Sequence, residues 1–441
     1  YFDIIADLES GWEVKNQLFY EEYENLNENA YGFSQFHDTY VIEEKLVFSK
    51  TYTFDSLIAS VQLSPSIRHT DFAHGDDYRN EYFGRRDLTG PSTALDRRLL
   101  ATRIDDDYTK YFVGEYTDLG IAFLTDLSWE NGVSLLIGAR HDRIDMESRS
   151  NVDKLLFPDP DDAVEAEDDV SGNSWTVSLS YDIANSGIIP YVTISEQATI
   201  IAGQGAELEV DWLASGGAFD TSDLTEFGVK GELLEDGRLY FSLSHYEQER
   251  TDFSAQSIVT NQSVKTEGTE FEVRWAVDES LFVGATYTNV EVINLTTLAG
   301  SGNFSFLGAE DLPLVPPELL FGGQLGGIVN VAASGGRRAG MPENIYSLYG
   351  TYLFDNGLTI SASVSDVDDV FSSLSNSVKL PAYTLYNMTL GWESEQWKFS
   401  LTGKNLTDER YFRSNFPNLF GNTIVLPELP RHFVAKAQYS F

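Results

Sequence analysis

The sequence predicts an all-β chain folded as a transmembrane antiparallel β-barrel. Three observations predict it: period-two alternation along most of the chain, a strict exchange of tight turns with long connections, and aromatic residues crowded at strand ends beside the tight turns.

The alternation comes first. In NSWTVSLSYDI, Trp175, Val177, Leu179, Tyr181 and Ile183 share one face, and Ser174, Thr176, Ser178, Ser180 and Asp182 take the other. In LTISASVS, Leu358, Ile360, Ala362 and Val364 oppose Thr359, Ser361, Ser363 and Ser365. In WKFSLTGK, Trp397, Phe399 and Leu401 oppose Lys398, Ser400, Thr402 and Lys404. A soluble sandwich alternates too, with its apolar face turned inward. Turn asymmetry separates the two cases, because membrane barrels have short turns on one side and long loops on the other.

Tight turns fall at Ser10-Gly11, Asp55-Ser56, Glu130-Asn131-Gly132, Asn185-Ser186-Gly187, Glu235-Asp236-Gly237, Asp278-Glu279-Ser280, Asp355-Asn356-Gly357 and Ser394-Glu395. Several pair Asp or Asn with Gly, which accept positive φ and suit hairpins. Between them run 26–37, 72–106, 149–171, 199–221, 253–262, 296–341, 371–380 and 412–430. Eight tight turns join sixteen strands, and 431–441 adds one, giving about 17. Trp12, Phe54, Trp129, Phe354, Trp392 and Trp397 stand beside the tight turns, as an interfacial girdle requires. In the last strand Phe433, Ala435, Ala437, Tyr439 and Phe441 share a face, an outward apolar row ending on an aromatic.

Composition narrows the function classes. The absence of Cys excludes a disulfide scaffold, a thiolate metal site and a Cys nucleophile. The six His never fall at H-x-x-x-H spacing, so zinc hydrolase chemistry has no local support. A net charge of −40 argues against nucleic acid as a partner, since phosphate binding needs a basic face. No run of eighteen apolar residues offers a transmembrane helix. Tyr1 opens inside a strand-like pattern with no signal peptide, so the mature start or a larger upstream part is expected to lie outside this sequence. Nothing reads as catalytic: carboxylates are so frequent that their proximity carries no information about acid–base chemistry.

Two long connections carry candidate chemistry. DDYRNEYFGRRD supplies Tyr78, Tyr82, Phe83, Arg85 and Arg86, an Arg pair that can hold an anionic chelate bidentately and aromatics that can stack on flat groups. The bland alternative is a loop whose Arg meet local Asp or lipopolysaccharide phosphate. PDPDDAVEAEDD, 158–169, has seven carboxylates in twelve residues. Hard cations take such ligands, but the D-x-D-x-D-G spacing is missing, so a solvated, mobile loop is expected.

From here a resemblance enters. PENIYSLYGTYLFDNGLTISASVSDV, VKLPAYTLYNMTLGWE, LTGKNLTDERYF and LPRHFVAKAQYSF resemble, in order, the closing hairpins of TonB-dependent outer-membrane receptors. LTEFGVKGELLEDGRLYFSLSHYEQERTDF and TEGTEFEVRWAVDESLFVGATYTNVEV resemble the family's preceding hairpins, so about half the chain is covered, while residues 1–170 match only in pattern. Two departures stand out: Asn387 occupies a place where the family often has an acidic residue, and Lys436 one where the closing signal often has Gly.

The resemblance implies a 22-strand barrel around an N-terminal plug, of which this sequence holds about 17 strands and no plug domain. Residues 1–441 are then a C-terminal portion lacking about five strands, with every tight turn periplasmic and open edges that forbid a stable barrel alone. It also implies an outer-membrane receptor of a Gram-negative bacterium importing a scarce ligand, with a lean toward a ferric siderophore or similar chelate. Its partners are the TonB complex, outer-membrane lipids and lipopolysaccharide, and the insertion machinery, which reads Tyr439 and Phe441. No cofactor and no resident metal are implied. A passive porin and a soluble all-β binding module are the alternatives. Residues 297–341 are expected to form an extracellular lid or hide a short extra hairpin. Asn405 and Asp408 are expected in the upper half of the penultimate strand, with Tyr411 and Phe412 near the upper interface.

Overall fold

The structure is a computed structural model. It describes residues 1–25, 35–76, 108–155, 157–203, 205–252, 262–295, 298–303, 320–321, 324–325, 328–332, 335–372, 376, 378–414 and 425–441.

Seventeen strands form one sheet. They are β1 (Phe2–Asp7), β2 (Glu13–Asn25), β3 (Gln35–Thr53), β4 (Leu57–Asp76), β5 (Lys110–Trp129), β6 (Val133–Ser150), β7 (Glu165–Tyr181), β8 (Ile188–Ile200) and β9 (Phe219–Leu233). There follow β10 (Leu239–Asp252), β11 (Gln262–Ala276), β12 (Leu281–Asn294), β13 (Asn344–Leu353), β14 (Leu358–Val367), β15 (Tyr383–Glu393), β16 (Trp397–Lys404) and β17 (His432–Tyr439). Each strand pairs antiparallel with the next along the chain. Among the described residues the sheet does not close: β1 pairs only with β2, and β17 only with β16. Because the count is odd, these two edge strands run in the same direction.

All eight expected tight turns are present, and their chemistry is visible in the backbone. Gly11, Gly132, Gly187, Gly237 and Gly357 take φ between 65° and 91°, and Asn185 takes 60°. Such angles suit Gly and are tolerated by Asn. At Gly132 a Cβ would lie 2.2 Å from the Asp182 carbonyl oxygen, so the turn also needs the missing side chain.

The apolar rows of the sequence form the exposed face. Leu119, Ile121 and Phe123 on β5, Trp175, Val177 and Leu179 on β7, Tyr386, Leu390 and Trp392 on β15, and Phe399 and Leu401 on β16 are all exposed. In water such a surface favours association; facing lipid it is what a barrel wall needs. The opposite, lumenal face carries Ser, Thr and Gln rungs such as Thr51–Ser60 (3.0 Å) and Thr389–Thr402 (3.0 Å). Within 297–341, Leu298–Asn303 pairs with Ile328–Ala332, so that segment does contain a short extra hairpin.

Among the described residues a buried hydrophobic cluster lies on the lumenal face at the long-loop end of β4–β7. Phe72, Phe112, Tyr116, Ile144, Met146 and Ala166 come from the wall; Leu208, Val210, Leu213 and Ala218 come from the β8–β9 connection.

Candidate functional site

The long-loop end is built on strands of unequal height. β3 to β7 run 17 to 20 residues, whereas β13 to β17 run 8 to 11. A membrane strand needs about 9–11 residues. The tall strands therefore rise beyond the apolar band, and their outward rows change chemistry there. On β6 the outward row passes from Leu135, Ile137 and Ala139 to Arg143, Asp145, Glu147 and Arg149. Glu147 lies opposite both Glu115 and Glu167, and Asp145 opposite Asp169. Arg143 contacts Asp169 and lies 3.7 Å from Asp145.

This corrects the expectation for 158–169. Only its first half is a loop, with a short turn at Pro160–Asp162 capped by Asp159, whose Oδ1 accepts the Asp161 N–H at 3.0 Å. Residues 165–169 are strand, because backbone pairing with β6 outweighs side-chain repulsion that water screens. Among the described residues no group of His, Asp and Glu is arranged to hold a metal.

Inside the mouth, residues 205–218 fold back onto the lumenal face of β4–β7. A five-residue helix, α1 (Val210–Ala214), buries Val210 and Leu213 against the wall. Ser148 Oγ donates to the Leu208 carbonyl at 2.5 Å. Upstream of α1 is a buried polar group. Glu207 Oε2 accepts the Gly205 N–H at 2.8 Å, and its Oε1 lies 3.7 Å from His74 Nδ1. His74 Nε2 lies 3.8 Å from Asp76 Oδ1. Glu209 faces Lys110 Nζ at 3.5 Å. Burial pushes the Glu207 carboxyl above its ordinary value, with His74 pulling it back; burial also pushes Glu209 up, with Lys110 opposing. Beside this group, Tyr108 donates to Gln35 Oε1 at 2.9 Å and lies 3.0 Å from His37 Nε2. Lower in the lumen, Arg140 donates to Asp142 at 2.9 Å and to Ser66 Oγ at 3.2 Å, and its Nη2 is 3.4 Å from Asp118. One guanidinium thus serves two carboxylates, leaving that patch of the inner wall acidic.

The last loop is fixed by Asn405. It does not sit in a strand's upper half as expected: β16 stops at Lys404, and Asn405 (φ 51°) and Asp408 (φ 59°) form the turn that ends it. Asn405 is buried, accepts the Glu409 N–H at 2.8 Å, and donates to the carbonyls of Glu409 at 2.8 Å and Leu429 at 3.3 Å. Asp408 accepts the Arg431 N–H at 2.8 Å, one residue before β17. Asn387 Oδ1 accepts the Asn405 N–H at 3.0 Å, the role a carboxylate oxygen would fill. Tyr411 packs against Tyr383 with ring centroids 4.6 Å apart.

Tyr78, Tyr82, Phe83, Arg85 and Arg86 lie outside the described residues. Tyr439 packs against Trp397 at 4.8 Å and Phe441 at 5.1 Å, on the outward face of the closing strand. The residues that sequence reasoning missed are those of the lumenal segment. Their signal was Leu208, Val210, Trp212 and Leu213 in AELEVDWLASG, an apolar run within an acidic connection.

The family model described as "TonB dependent receptor-like, beta-barrel" matches residues 2–406. The ferrioxamine receptor of Yersinia enterocolitica is 22% identical over 345 residues, which is 75% of this chain and 41% of that one. Among solved structures, the siderophore receptor PiuA of Acinetobacter baumannii superposes with a TM-score of 0.67 at 15% identity, over 99% of this chain and 63% of that one. The ferric citrate transporter FecA superposes with a TM-score of 0.68 at 12% identity, over 99% and 60%. This chain therefore spans less than two thirds of the length of these relatives. The family comprises transport receptors rather than enzymes, set in the outer membrane of Gram-negative bacteria. With its exposed apolar band, its antiparallel wall and the match over 2–406, this chain belongs to the TonB-dependent receptor β-barrel family.

Proposed function

We propose that this chain is the C-terminal wall of an active-transport receptor that binds a ferric siderophore or a similar metal chelate at its extracellular mouth and imports it with TonB energy. The observation that carries this reading is the wall itself: seventeen antiparallel strands that superpose on siderophore receptors over 99% of this chain and 63% of theirs. The free edges of β1 and β17 support a further part of it. Two edge strands running the same way can close antiparallel only through an odd number of added strands, and five would complete 22. A plug domain in the same polypeptide would carry the TonB contact. Tyr78, Tyr82, Phe83, Arg85 and Arg86 are proposed to meet the chelate, with Arg forks on its anionic groups. Tyr439 and Phe441 are proposed as the signal read on membrane insertion, and the outward bands as the surface for lipid and lipopolysaccharide. A passive porin is not favoured, and a soluble module fits poorly with outward Phe, Leu and Trp rows.

The test is uptake of radiolabelled iron by an iron-starved deletion strain, complemented or not, supplied with ferrioxamine, ferric citrate or a ferric catecholate. Uptake of one chelate that requires both the gene and a working TonB supports the proposal. Unchanged uptake of every chelate, or uptake that survives loss of TonB, overturns it.

A further inference from the structure

The lumenal segment 205–218 is held by two kinds of contact. Leu208, Val210, Leu213 and Ala218 are buried in the wall cluster, a contact indifferent to protons. The Glu207 group is not indifferent. Two carboxylates, Glu207 and Asp76, flank one imidazole, His74, within 3.8 Å on either side, and all three side chains are at most 10% exposed. Glu209 adds a third carboxylate, answered by Lys110. Among the described residues, Tyr116 on β5 and Tyr23 on β2 also lie near Glu207, and Arg68 on β4 lies near both tyrosines. Gly203 permits the arrangement, since a Cβ there would lie 1.7 Å from Glu207 Oε1.

We propose that residues 205–218 form a proton-gated strap, docked on the inner wall of the mouth when the medium is acidic and released into the mouth as pH rises. Docking takes Glu207 and Glu209 out of water, so it is favoured when either carboxylate takes up a proton. The sign follows from the geometry and agrees with the upward push on Glu207 and Glu209. A carboxyl raised in the docked state stabilises docking below its free value and loses that contribution as pH rises through the docked value. The device concerns access to the mouth and is independent of which ligand is carried.

The test uses the full-length receptor in detergent micelles or nanodiscs. Hydrogen exchange of residues 205–214, corrected for intrinsic rates, is followed from pH 5 to pH 8. Protection should fall by about tenfold or more as pH rises in the wild type and stay nearly flat in Glu207→Gln. A nitroxide on Ser215→Cys, an exposed position, with any Cys elsewhere in the receptor replaced by Ser, gives a second readout, with label mobility rising over the same interval. Leu213→Asp should remove the protection at every pH. Protection that is flat with pH in the wild type overturns the proposal, as does an unchanged pH dependence in Glu207→Gln. Protection that survives Leu213→Asp overturns the docked strap itself.

Discussion

The β3–β7 arc and the β13–β17 arc cross the same membrane but are built to different heights. The short arc is almost all band. Its outward faces read Tyr346, Leu348 and Tyr352, then Tyr386, Leu390 and Trp392, then Trp397, Phe399 and Leu401, and they leave the lipid close to where the strands end. The tall arc keeps pairing for several residues beyond the lipid, although its outward rows there set Glu115, Glu147 and Glu167 side by side. Like charges directly opposite are unfavourable. What holds the tall arc together above the band is therefore its other face, where Phe72, Tyr116, Ile144 and Met146 pack with the strap. Lipid supports one arc from outside; a small internal core supports the upper half of the other.

That difference can be broken at close-packed backbone sites. At Gly114 on β5, a Cβ would meet the Glu147 carbonyl oxygen at 2.2 Å and Phe72 at 2.7 Å, whereas at Gly391 on β15 the nearest atom is 3.6 Å away. Gly114→Val is expected to cost on the order of 3 kcal/mol, and Gly391→Ala within about 0.5 kcal/mol, read as urea midpoints of the full-length receptor in micelles. Equal effects would mean that the arcs do not differ in packing.

On the short arc, Asn405→Ala should cost about 2 kcal/mol, because three side-chain hydrogen bonds are lost and Ala tolerates φ 51° poorly. Hydrogen exchange should localise the damage to 401–412 and 429–434 and leave β3–β7 untouched. Trp397→Ala removes an indole stacked at 5.3 Å on Phe399 and tilted against Tyr439 at 4.8 Å, for about 1 kcal/mol, seen as a lower temperature for loss of the unboiled gel form. The smallest effect has the opposite sign. Glu147→Gln should stabilise the tall arc by a few tenths of a kcal/mol at low ionic strength, and the gain should vanish in molar salt.

The turns and the band were legible in the sequence because their causes are local. Positive φ selects Gly or Asn at a single position, and a lipid-facing row shows as alternation within one strand. The height of the tall arc was not legible. Residues 165–169 carry loop-like charges, and only their register against Asp145 and Glu147 makes them strand. The strap was hidden for a related reason: the apolar run through Leu208, Val210 and Leu213 lies in a long connection, and the wall residues of its cluster, Phe72 and Met146, lie far away in sequence. Asn405 gave a partial signal. Asn and Asp three residues apart after a strand suit a left-handed turn, but the carbonyls Asn405 satisfies belong to another part of the loop.

One small contact bears on how deep the wall sits. The Trp392 indole faces outward at the turn end of β15 and donates its Nε1–H to the Asn356 carbonyl at 3.2 Å, in the neighbouring tight turn. The ring's polar edge is tied to the backbone and its apolar body is left for hydrocarbon, so the indole marks a waterline. A bilayer too thick or too thin for the wall has to deform around that mark rather than slide past it. The tight turn between β13 and β14 thereby contributes to immersion depth as well as to chain reversal.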